Sequence, residues 1–148
     1  MEPFRTLLVT TDFSEISALA FAPARMLART FGARIIALYV QEEILPPFVG
    51  EYAQTSLQGI LDDQRVRLGE ELERFARTHL GADLTVETIV GSGIPHIEIG
   101  RVAHDHGVDL IVLATHGRGF LGHAIFGSTA ERVLRRATCP VLTVRPPE

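Results

Sequence analysis

Gly117, Gly119, Gly122 and Gly127 crowd one short stretch, and Ser128-Thr129-Ala130-Glu131 follows it directly, with apolar residues Ala130, Val133, Leu134 and Ala137 at helical spacing. Glycine lets a backbone approach a bound group with no Cβ in the way, and the first turn of a helix presents unpaired N–H groups at the positive end of its dipole. Together they form an anion site, for which phosphate is the obvious guest. Gly117 and Gly127 would be the close-approach positions, Ser128 would offer its hydroxyl and amide, and Thr129 a second amide. A competing reading stays open here: Ser128 and Glu131 have the spacing of a capping box, and the glycines would then only serve turns.

The other chemistry-bearing residues are sparse. Asp12 follows the first apolar run and is the best acidic candidate, its alternative role being a turn residue that caps the helix from Ser14. His104 and His106 are two apart and do not share a helix face, so they make a poor metal pair. His116 and His123 flank the glycine loop within reach of a phosphate, although a loop histidine is more often solvated. With one cysteine and no second carboxylate cluster, no protein-held transition metal is expected, and a hard cation such as Mg²⁺ or Mn²⁺ would arrive with bound phosphates.

All fourteen basic residues are arginine. The absence of lysine removes a P-loop, a Schiff-base enzyme and the usual phospho-receiver pocket. A net charge of −4 gives no reason to expect nucleic acid, and Arg135 and Arg136 sit where a helix C-terminus favours cations. Cys139, before Pro140 at the entry to a strand, reads as a small buried apolar residue in a reducing compartment. No segment approaches the roughly 18 uninterrupted apolar residues of a membrane span, so a cytoplasmic protein without a membrane partner is expected.

Elements must bring these residues together, and the pattern supplies an alternation of strand and helix within one domain of 148 residues. Strands are predicted at Phe4 to Thr10, Arg34 to Val40, Leu84 to Val90, Asp109 to Ala114 and Val141 to Val144. The run Leu110-Ile111-Val112-Leu113 is that of a parallel strand buried on both faces. Between them, helical spacing runs from Ile16 to Thr30, with Gly32 as its stop and a kink expected at Pro23. It recurs from about Tyr52 to His79 through Leu57, Leu61, Gln64, Leu68, Leu72 and Phe75, and again behind Pro95 up to Gly107. Gln41 to Gly50, with Pro46-Pro47, reads as a loop, and Gly91-Ser92-Gly93 as a turn. Gly100 should weaken its helix unless it permits close packing.

The spacing around the glycine loop resembles the nucleotide signature of the universal stress protein family: Gly, two residues, Gly, nine residues, then Gly and Ser or Thr. Here Ala114 takes the first position, Gly117 the second and Gly127-Ser128 the last, and the likeness extends through TTDFSE near the N-terminus and ERVLRRATCPVLTV at the C-terminus. The resemblance implies an open, doubly wound α/β fold: a five-stranded parallel sheet in the order 3-2-1-4-5 with helices on both faces. In that order the C-terminal ends of strands one and four meet at a topological switch point, where such sheets bind ligands. Thr10, Thr11 and Asp12 would converge there with Ala114 and the loop behind it. The resemblance further implies ATP with Mg²⁺ or Mn²⁺ as ligand, Asp12 at the nucleoside end, the Val40 backbone on adenine, and a homodimer paired through the last strand. Ala114 places an extra methyl where ribose or phosphate would approach, which puts affinity in question. The function expected is an ATP-binding regulatory stress-response protein. The alternatives are a nucleotide-free dimeric interaction module of the same family and a nucleotidyl-transfer-type enzyme. For the enzyme the serine-glycine loop after strand one and the lysine-rich loop are missing.

Overall fold

The computed structural model describes residues 2–42, 50–117 and 126–147. Strands β1 (Thr6–Thr10), β2 (Arg34–Gln41), β3 (Val86–Ser92), β4 (Leu110–Ala114) and β5 (Val141–Val144) form a parallel sheet in the order β3-β2-β1-β4-β5. This is the order that the resemblance implied. Helices α1 (Glu15–Ala18), α2 (Phe21–Phe31), α3 (Glu51–Leu80), α4 (Pro95–Asp105) and α5 (Ser128–Arg136) connect the strands.

Strand alternation divides the core in two. Leu7, Val9, Ile35, Ala37, Leu110 and Val112 point to one face, where they meet Phe21, Ala24 and Ala28 of α2 and Leu72, Ala76 and Leu80 of α3. Leu8, Ile36, Leu38, Ile111 and Leu113 point to the other, against Ile99, Val102 and Ala103 of α4 and Ala130 and Val133 of α5. Burial on both faces is why these strands read as continuous apolar runs rather than alternating ones. At the lower edge, the backbone N–H groups of Arg5 and Thr6 both donate to the Asp109 carboxylate at 2.8 Å, which pins the start of β1 beside the start of β4.

Several boundaries differ from the sequence reading. The helix expected to kink at Pro23 is two helices: α1 ends at Ala18, Ala20 is the N-cap of α2, and Pro23 falls in the first turn of α2. A proline there sacrifices no hydrogen bond, because the first N–H groups of a helix have no partner in it. β1 starts at Thr6 rather than Phe4, whose ring packs edge-on to Phe31 at 5.4 Å. β3 runs through Gly91 and Ser92, and the chain turns only at Gly93, with φ +119°. Gly100 has open space where a Cβ would lie, so close packing does not account for it. Cys139 is half-buried against the α4 and α5 side of the core, and burial pushes its thiol up. Most of the loop expected over Gln41 to Gly50, including Pro46-Pro47, lies outside the described residues. None of the described helices is long and apolar enough to cross a membrane.

Candidate functional site

β1 and β4 are hydrogen-bonded neighbours, yet the chain leaves β1 for the α2 and α3 layer and leaves β4 for the α4 and α5 layer. The divergence opens a crevice above their C-terminal ends, as in other open α/β sheets. A cleft of about 800 Å³ lies there. Every candidate residue lines it: Thr10, Thr11 and Asp12 from the end of β1, Val40 from β2, Ala114 from β4, Gly117 from the loop, and Gly127, Ser128 and Thr129 from the start of α5.

The turn after β1 is held by hydroxyls. Thr11 Oγ1 and Ser17 Oγ lie 2.8 Å apart in the buried turn, the Phe13 N–H donates to Thr11 Oγ1 at 2.9 Å, and the Ser17 hydroxyl donates to the Ser14 carbonyl at 2.8 Å. Ser14 is the N-cap of α1, as its sequence position suggested, and accepts from the Ser17 N–H at 3.1 Å. Phe13 adopts φ +65°, an uncommon conformation for a bulky residue, and its ring stacks on Tyr39 with centroids 4.6 Å apart. Asp12 does take up the turn role: its Oδ1 accepts from the Ser14 N–H at 2.9 Å. The same carboxylate faces the cleft, since a Cβ built on Gly117 would collide with Asp12 Oδ2. Asp12 therefore has one oxygen in the turn and the other against the glycine strand opposite.

On the far side, Gly127 is the N-cap of α5, with φ −68° and ψ 159°, and Ser128 is the first helical residue. The capping box is not formed. No side chain caps this end, and the Glu131 carboxylate instead pairs with Arg135 at 3.0 Å. Among the described residues the amides of Ser128, Thr129 and Ala130 have no hydrogen-bond partner, and they open toward the cleft that all three residues line. Gly127 N–H donates to the Thr115 carbonyl at 2.6 Å and closes the neck of the loop. The space this leaves is tight, for a Cβ at Gly127 would stand 3.2 Å from that carbonyl oxygen. Residues 118–125, which include Gly119, Gly122 and His123, lie outside the described residues.

Ala114, the departure from the glycine signature, is the last residue of β4 and only 8% exposed. Strand alternation puts its methyl on the side of Leu110 and Val112, and the residue lines the cleft. Thr115, which the sequence reading passes over, and His116, which it weighs as a phosphate contact against a solvated loop residue, both line the cleft; His116 is buried rather than solvated, with Nδ1 2.8 Å from Thr115 Oγ1. They stood inside the motif, between its first two anchor positions, where spacing marks only the anchors. Among the described residues no group of three or more His, Cys, Asp or Glu side chains is gathered to hold a metal.

The residues brought together are an acid at the end of β1, an uncapped helix N-terminus and two glycines at points of close backbone approach. That arrangement suits a ligand with an anionic end and a neutral, hydrogen-bonding body. The universal stress protein family model matches residues 3–145. Universal stress protein MJ0531 of Methanocaldococcus jannaschii is 32% identical over 145 residues, covering 98% of this chain and 84% of that relative. The structure of MJ0577 from the same organism has a TM-score of 0.78 at 27% identity and covers 99% of both chains. UspA from Lactobacillus plantarum reaches 0.79 at 26% identity, over 98% of this chain and 100% of that one. On this match, which spans nearly all of its length, the chain belongs to the universal stress protein family.

Proposed function

We propose that the cleft binds ATP with Mg²⁺ or Mn²⁺, and that the protein acts as a nucleotide-responsive regulatory module of the cytoplasm. The observation that carries this reading is the uncapped start of α5. Three amides without a partner among the described residues and a helix dipole favour an anion there, and the glycine at the N-cap admits it at close range. The phosphates would lie on Gly127, Ser128 and Thr129, the ribose near Asp12 and Gly117, and the base at the end of β2 beside Val40. The oxygens of the bound phosphates would ligate the cation, as the described part of the cleft gathers no metal-ligating cluster. Two solved universal stress proteins of this fold, one in complex with cAMP and one from Archaeoglobus fulgidus in complex with dAMP, hold related ligands. At 21% and 16% identity they share the fold, and the support for the ligand class in this chain is the site itself.

Most of the available donors point at phosphate, so ATP with Mg²⁺ should bind at least about tenfold more tightly than AMP, the margin expected from one or two extra charge-assisted hydrogen bonds. Calorimetric titration of both nucleotides with and without Mg²⁺ checks this, and equal affinities would count against the phosphate assignment. No binding of either would favour the second reading, which the extra methyl of Ala114 supports: an interaction module that works without nucleotide.

The homodimer is proposed on the sheet edge. β5 is terminal in the strand order, its four residues Val141 to Val144 are only half-buried, and its outer backbone groups have no strand beside them among the described residues. Pairing with a second copy would satisfy that edge. Sedimentation is expected to give a dimer, and a monomer persisting at high micromolar concentration would remove the idea.

A further inference from the structure

Gly100 and three basic side chains meet on the outer side of the α4 and α5 layer, where the fold has no use for them. Gly100 is exposed in the interior of α4, and among the described residues nothing lies within 4 Å of where its Cβ would be. A glycine there weakens the helix, and neither a turn nor close packing requires it. His96, one turn earlier on the same helix face, reaches α5: its Nε2 lies 3.5 Å from Arg136 Nη1. The side of α4 that carries Gly100 is therefore the side turned to α5, and the glycine leaves a notch between the two helices.

The α5 rim of the notch is basic. Arg132 and Arg136 are exposed and four residues apart on one face, a like-charge spacing that costs a helix stability. The helix dipole favours Arg136 in the last turn but gives nothing to Arg132 in the middle of α5. Neither has an ion pair among the described residues, and the acids nearby are engaged: Glu98 and Asp105 hold Arg101, and Glu131 holds Arg135. Partial desolvation, and then the charges of Arg136 and Arg132, keep the His96 imidazole below its ordinary pKa, so it is neutral at pH 7. The α4 rim is apolar. Ile94 and Ile97 are 55% and 49% exposed, and Ile97 lies one turn before Gly100.

We propose that this notch is a docking site for an acidic segment of a partner protein, with carboxylates on Arg132 and Arg136 and an apolar side chain seated over Gly100 against Ile97. Charge complementarity selects the sign of the partner, and guanidinium groups take carboxylates in bidentate pairs. The exposed isoleucines call for apolar residues beside those carboxylates. A nucleic acid fits less well, since two guanidinium groups on a chain of net charge −4 offer no track for a phosphate backbone. None of His96, Gly100, Arg132 and Arg136 lines the cleft, so docking needs no nucleotide.

The probe is a fluorescein-labelled peptide of Glu-Glu-Leu repeats, followed by anisotropy. A Glu-Glu-Ser peptide of equal charge lacks the apolar residues, and oligothymidylate tests the nucleic-acid alternative. The wild-type protein should bind the first peptide at least about tenfold more tightly than the second, and less tightly as salt is raised. Substituting Arg132→Gln and Arg136→Gln together should lower the affinity at least about tenfold. Arg67→Gln with Arg74→Gln on α3 makes the same change in net charge and should leave it unaltered. Gly100→Leu fills the notch: it should weaken binding about tenfold and yet raise the unfolding temperature by about 2 to 4 °C, because leucine favours the helix. Unchanged affinity in either the Arg132→Gln, Arg136→Gln protein or Gly100→Leu overturns the site. So does an equal loss in the α3 variant, tighter binding of oligothymidylate, or no peptide binding by the wild type. A wild-type oligomer that dissociates in the Arg132→Gln, Arg136→Gln protein would make the occupant a second copy and overturn the partner assignment.

Discussion

Gly127→Glu is expected to lower ATP affinity at least about 100-fold while the protein stays folded. The carboxylate would stand at the start of α5, where the phosphates are proposed to lie. It would repel them and take the unpartnered amides for itself, cancelling two or three charge-assisted hydrogen bonds. The fold tolerates the change because Gly127 has φ −68° and ψ 159°, an extended conformation open to any residue, and a positive φ is not the reason for glycine there. Among the described residues the nearest obstruction is the Thr115 carbonyl oxygen, 3.2 Å from the new Cβ, which must yield by a few tenths of an ångström. A stability loss of about 1 kcal/mol is expected, as for other single contacts disturbed at a loop neck. Calorimetric ATP titration and thermal unfolding on both proteins check the pair of outcomes. A folded variant with unchanged ATP affinity would sink the phosphate assignment. Since no capping box is formed at this helix end, local turn chemistry offers no other account of a loss of binding.

Gly117→Ala should weaken binding through Asp12. The added Cβ overlaps Asp12 Oδ2, so the carboxylate must rotate and strain or lose its bond from the Ser14 N–H. About 1 kcal/mol of stability and roughly tenfold in ATP affinity are expected, the worth of one hydrogen bond in each case. A double-mutant cycle separates the two effects. Combining Gly117→Ala with Asp12→Ala removes the clash, so the stability losses should be less than additive, while binding stays weak because the carboxylate is gone. Strictly additive stability losses would show that Gly117 and Asp12 do not press on one another. Restored ATP affinity in the double variant would remove Asp12 from the ligand site.

The strands and the cleft were legible in sequence for different reasons. Runs such as Leu110 to Leu113 announce burial on both faces, and the spacing from Ala114 to Ser128 marked residues that the fold gathers at one crevice. Helix boundaries were harder. Pro23 reads as an interruption in any pattern, and only the backbone reveals that the helix begins just before it, where a proline costs nothing. The apolar stripe of α3 reads as one continuous face, because periodicity reports which residues share a side and not what that side meets. Leu72 meets the sheet; Leu57 and Leu61 meet the cleft. For His116 the sequence leaves a phosphate contact and a solvated loop residue both open, because it cannot show how tightly Gly127 N–H and the Thr115 carbonyl draw the loop neck together.

The central claim is that ATP phosphates sit on the amides at the start of α5, and amide chemical shifts during a titration of ¹⁵N-labelled protein with Mg-ATP test it most directly. The account predicts saturable shifts of the Gly117, Gly127, Ser128, Thr129 and Ala130 amides, with Asp12 and Val40 moving at the same ligand concentrations and the amides of α2 unmoved. Shifts confined to other surfaces, or none at millimolar Mg-ATP, would contradict it.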